Sequence, residues 1–129
     1  MIFPKRKTIT LLLLCGLASL AVSSVHAHHT GAMFDRSRKL SIAGTVRTLE
    51  WNNPHIWLWL FVPGEKAEAI YALEGASIGE MMRRNGWNKY SVKPGDKVTV
   101  KYAPFRDGRN GGYILQVTLA NGATLGAAE

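Results

Sequence analysis

The strictest pattern in this chain is Ile56–Val62, where two sets of apolar residues alternate without a break. Ile56, Leu58, Leu60 and Val62 share one side of an extended backbone, and Trp57, Trp59 and Phe61 share the other. A repeat of two marks a strand, because successive side chains leave a strand on opposite faces, whereas a helix would scatter both sets around its circumference. Asn52-Asn53-Pro54 before the run and Pro63-Gly64 after it are turn-forming combinations. A strand with apolar residues on both faces must be covered on both, or must expose an aromatic row.

Four further segments carry the same repeat. In Leu40–Glu50, Leu40, Ile42 and Val46 oppose Ser41, Thr45 and Arg47, and Gly44 in the middle points to a bulge or sharp bend. Ala67–Leu73 reads as a third strand, Lys97–Tyr102 as a fourth with Val98, Val100 and Tyr102 inward, and Tyr113–Leu119 as a fifth with Tyr113, Leu115, Val117 and Leu119 on one face. The period changes only at Ser77–Asn85. There Ser77 and Glu80 have capping-box spacing, Ile78, Met81 and Met82 form a stripe, and Asn85-Gly86 supplies a stop. The expected fold is all-β with one short helix, in the order three strands, helix, two strands. That order fits a small five-stranded OB-like Greek-key barrel over residues 39–121, with a small open β-sandwich as the alternative. In such a barrel the binding loops would be Asn52–His55 and Phe105–Gly112.

The first 27 residues have a different logic. Lys5, Arg6 and Lys7 precede an apolar stretch centred on Leu11–Leu14, and Val25-His26-Ala27 offers small or aliphatic residues before a cut. This is the layout of a cleaved signal peptide, and its strongly apolar part is shorter than the ~20 residues of a membrane span. Periplasmic placement, possible release from the cell and no transmembrane segment after cleavage are the expectations. Cys15 follows Leu14 inside the apolar stretch, so it reads as part of the leader and not as a lipid attachment site. Residues 28–38 are expected to form an extended lead-in and residues 122–129 a flexible tail. Of the 16 Lys and Arg residues three belong to the leader, so thirteen remain against 9 Asp and Glu. That mild positive balance suits an anionic envelope partner, and an exported chain is not expected to meet nucleic acid.

Cleavage after Ala27 would give His28 a free amine, which with its own imidazole can chelate a metal. The amine deprotonates near pH ~8, so the chelate costs little at neutral pH. His29 or His55 could add a further nitrogen, a set that suits copper best, with Glu74 as a supporting or fourth group. The competing reading is a module that holds a glycan, lipid or protein partner. It would use the aromatic row Trp57, Trp59 and Phe61 together with the cations Arg106 and Arg109. In that case Met33 and Phe34 are the residues able to cover the row. The chain has no nucleophile elbow, phosphate-binding glycine loop or dinucleotide fingerprint, and no carboxylate pair identifies a catalytic centre. No catalytic residue is therefore assigned, and a binding role is expected before an enzymatic one.

One combination of short motifs covers most of the chain after the leader. It comprises His28-His29, Met33-Phe34-Asp35, Gly44-Thr45-Val46, Asn53-Pro54-His55, Leu73-Glu74, Arg84-Asn85-Gly86-Trp87, Pro94-Gly95-Asp96 and Pro104-x-Arg106-Asp107-Gly108. In this the chain resembles an uncharacterised family of small exported proteobacterial proteins, known as a domain of unknown function. Thr30 departs from the serine expected after the histidine pair. The resemblance implies a compact periplasmic β-domain and carries no activity.

Overall fold

The computed structural model describes residues 29–84 and 86–126. Its elements are α1 (His29–Ala32), β1 (Leu40–Glu50), β2 (Trp57–Val62), β3 (Ala69–Glu74), α2 (Ile78–Arg83), β4 (Lys97–Pro104), β5 (Gly111–Leu119) and β6 (Thr124–Leu125). No helix among these residues is long and apolar enough to cross a membrane. The expected leader lies outside the described residues.

The sheet closes on itself. β1 pairs antiparallel with β2 and β4, β2 with β3, and β4 with β5, and a short parallel pairing of β3 with β5 completes the ring. This is the five-stranded barrel expected from the strand–helix order, with strands connected 1-2-3-5-4-1 in OB manner. β1 reaches both halves because it serves them in turn. Leu40–Thr45 pair with β4, and Thr45–Glu50 pair with β2.

Gly44 sits at this hand-over, although its role differs from the one expected. The register slips at Arg47, between Val46 and Thr48, and Gly44 instead allows close approach: a Cβ there would fall 2.7 Å from the Phe61 carbonyl oxygen. The closing pair imposes the same demand more strongly. Gly111 holds φ at 123°, and a side chain on it would meet the Ala72 carbonyl of β3.

Inside the barrel lie Ile56, Leu58 and Leu60, fully buried and joined by Val46, Leu73, Val100 and Val117. Each such side chain contributes ~1.5–3 kcal/mol by leaving water. β5 departs from simple alternation. A second slip, between Lys101 and Tyr102 on the β4 side, leaves Leu115 without a partner, so Ile114 and Val117 enter the core. Tyr113 turns to a separate cluster with Phe34, Ala103 and Phe105. α2 starts where expected, with Ser77 Oγ accepting from the Glu80 amide at 3.4 Å, and Met81 plugs the core.

Both ends of the domain are more ordered than the sequence suggested. The lead-in is not simply extended: it opens with the helical turn α1 and then packs on the barrel. Phe34 is 1% exposed and bridges to Phe105, while the Met33 carbonyl accepts from the Arg106 amide at 2.9 Å. At the other end, residues 124 and 125 are no loose tail. They pair with β5, and Leu125 is buried in the main core.

The loop before β4 is fastened by Asp96. Its carboxylate accepts from the Lys93 amide at 2.9 Å and from Lys93 Nζ at 2.7 Å, and its backbone carbonyl accepts from the Val46 amide at 2.8 Å. The Lys93 side-chain and backbone bonds hold the Asp96 carboxyl below its ordinary value of 3.8. A lowered folded value means the unfolded chain binds the proton more readily, so this contribution is complete above the ordinary value and fades as pH falls through the folded one. Asp96→Asn is expected to lower the urea midpoint near neutrality. Its deficit against the parent should shrink in strong acid, which paired urea titrations measure directly.

Candidate functional site

His55 and Glu74 are brought together by the register of β2 and β3. Trp57 faces Glu74, and the pairing runs on one step past the strands, with the Gly75 amide donating to the Ile56 carbonyl at 2.9 Å and the Ile56 amide to the Ala76 carbonyl at 3.1 Å. His55 is therefore carried to the start of the β3–α2 connection. The turn before it is tied to the same place, because Asn53 Oδ1 accepts from the Ile78 amide at 3.0 Å.

The His55 ring rests on two oxygens. Nδ1 lies 2.6 Å from Glu74 Oε1 and 3.2 Å from the Gly75 carbonyl. Both are acceptors, so Nδ1 carries the proton and, in the neutral ring, Nε2 keeps its lone pair. Glu74 is 4% exposed, and burial pushes its carboxyl above 4.5 while the adjacent His55 draws it back. A buried carboxylate behind an imidazole is the arrangement that fixes ring orientation and strengthens the far nitrogen as a donor to metals.

These two side chains line a cavity of about 270 Å³ with Gly31, Arg36, Ser77 and Tyr113. Gly31 belongs to the lead-in, so the chain just after the His28-His29 pair borders the same space as His55. His28 lies outside the described residues, and His29 enters them as the first residue of α1. Among the described residues no group of three or more His, Cys, Asp or Glu is arranged to hold a metal ion. His55 and Glu74 alone do not make a complete set.

The other sequence candidates lie elsewhere. Trp57 and Trp59 stack with centroids 6.1 Å apart, and Arg47 sits 5.8 Å from the centre of the Phe61 ring. All three rings remain half-buried on the outer face of β2, with Trp57 packed against the Phe34 cluster. The Phe34 part of the expected cover is therefore in place over the start of the row, whereas Met33 stays exposed. Arg106 is engaged through its backbone with Met33, and Arg109 borders a different cavity from His55. Arg36 and Tyr113 gave no sign in the sequence. They reach the His55 cavity through the lead-in fold and through the parallel pairing of Glu74 with Tyr113, neither of which leaves a local spacing signal.

Residues 14–115 match the model of the Family of unknown function (DUF6152). The chain belongs to that family. No curated protein and no solved structure matches it. For this DUF6152 member the match spans the whole barrel up to Leu115, together with the lead-in, His55 and Glu74.

Proposed function

We propose that this protein is exported, is cleaved after Ala27, and binds one copper(II) ion where its new N-terminus meets His55. The terminal amine and imidazole of His28 supply a chelate, His29 is available as a further nitrogen, and His55 contributes Nε2. Glu74 orients His55 from behind. The role is to hold or hand over the ion, since nothing in the sequence points to a reaction performed on it.

The observation that carries this reading is the shared cavity: Gly31 lines it beside His55 and Glu74. His29 and His28 precede Gly31 by two and three residues, at most ~7 and ~11 Å of chain, so the pair lies within a short reach of that space. The nitrogen-rich set supports copper over the other divalent ions, because copper(II) heads the affinity order for such ligands.

The free amine is the crux, so the test compares two chains beginning at His28, one with its terminal amine free and one with that amine acetylated. Isothermal titration with Cu(II) is expected to give one tight site in the first and a clearly weaker one in the second. Equal affinity in the two would overturn the chelate.

A second reading rests on the half-exposed aromatic row of β2. Aromatic rings of this kind stack on the apolar face of a sugar, and a glycan, lipid or protein partner would then bind there. Trp59→Ala would weaken that binding and leave copper affinity unchanged.

A further inference from the structure

A second cavity, of about 220 Å³, opens where the lead-in, β3, β4 and the β4–β5 loop converge. Arg38, Tyr71, Tyr102 and Arg109 line it, and it shares no lining residue with the His55 cavity. We propose that it binds the oxyanion group, phosphate or carboxylate, of a small ligand.

The chemistry of the wall argues for an anion. It carries two guanidinium groups and two phenols, and no carboxylate lines it. The phenol rings meet edge to face with centroids 6.5 Å apart. Burial first, and then the neighbouring Tyr71, push the Tyr102 phenol above 10.0, while Arg38 pulls it down. At neutral pH the Tyr102 hydroxyl is protonated and able to donate. A wall rich in hydroxyl and guanidinium donors favours a group that only accepts. Phosphate and carboxylate are such groups, and guanidinium binds both through paired bonds.

Arg109 is already oriented. It lies 4.1 Å above the Phe105 ring, and Nε is 2.8 Å from Asp107 Oδ2. Both partners of that ion pair are more than half exposed, so the pair is weak and leaves the terminal guanidinium nitrogens for a ligand. Arg38 is exposed at the cavity rim. Neither Arg38 nor the two tyrosines stood out in the sequence, because the residues come from four separate segments.

The test is a titration of the full chain followed by amide NMR, with inorganic phosphate, with acetate, and with chloride at matched ionic strength. The expected result is saturable movement of the Arg109, Asn110 and Gly111 amides with phosphate or acetate and none with chloride. Whichever of the two saturates at the lower concentration identifies the preferred oxyanion. Arg38→Gln and Tyr102→Phe should each weaken that binding about tenfold, the scale of one hydrogen bond to a charged group. Tyr102→Phe keeps the ring, and Arg38 is on the surface, so both variants should unfold close to the parent temperature. Shifts no larger than those with chloride, or binding unchanged in Arg38→Gln, would overturn the proposal.

Discussion

His55→Ala, in a chain beginning at His28, is expected to weaken Cu(II) binding by about two orders of magnitude. Structural zinc sites with four ligands gain ~10–16 kcal/mol from their ion, so on that scale one ligand is worth roughly 3 kcal/mol, or a factor of about 100. The ring is partly exposed, with a side-chain exposure of 29%, but its loss leaves the buried Glu74 without that partner, so thermal unfolding of the variant is measured beside the titration. Glu74→Gln adds a graded control. It keeps the shape of the side chain and removes the charge behind Nδ1. Lost outer partners of a ligating histidine cost about 10–100-fold, so this variant should fall between the parent and His55→Ala. Equal affinity for parent and His55→Ala would mean that the N-terminal chelate acts alone and the barrel merely carries it. Competition with a chelator of known strength gives the three constants on one scale.

Gly111→Val is expected to cost at least ~4 kcal/mol of stability, the range reserved for substitutions that break a specific structural requirement. Two independent demands coincide at this residue. Its φ of 123° is a conformation that residues with a side chain rarely adopt, and the space a Cβ would fill is taken by the Ala72 carbonyl. The affected pairing is the parallel contact of β3 with β5, which closes the barrel. Neighbouring Gly108 makes a useful comparison. It also has positive φ, 81°, but a Cβ there would meet nothing within 4 Å. Gly108→Ala should therefore lose far less, ~1 kcal/mol, from backbone strain alone. For a domain of this size each kcal/mol shifts the melting temperature by ~4–8 °C, so thermal unfolding by circular dichroism separates the two clearly.

The strands could be read from the residues because each has one face in the core, and burial enforces the two-residue repeat. Ile56–Val62 shows this without exception. The helix could be read because its start carries a side-chain signal, which Ser77 fulfils by capping Glu80. β5 was legible as a strand and illegible in its facing, since the slip opposite Lys101 is a property of the β4–β5 pair and not of either sequence. The short strand Thr124–Leu125 was missed because two residues show no period; only the pairing with Val117 and Thr118 defines it. His55 and Glu74 were both chosen by residue type, but their contact was not visible. It arises from a strand register that joins residues nineteen apart in the chain. The donor-lined cavity was less visible still, its Arg38, Tyr71, Tyr102 and Arg109 coming from the lead-in, two strands and a loop.

Phe34 gives the lead-in a consequence beyond packing. With its ring enclosed by Phe105 and Tyr113 at centroid distances of 5.2 and 5.5 Å, it moors the segment to the barrel a few residues after the histidine pair. A group tethered that closely acts at an effective concentration of order millimolar, set by geometry and independent of how dilute the protein is. The loss of chain freedom has been met during folding, so a ligand that needs both the lead-in and the barrel finds the two already gathered. Loosening the mooring would spread the lead-in through a larger volume and slow every event that depends on the two meeting, with no change in the groups themselves.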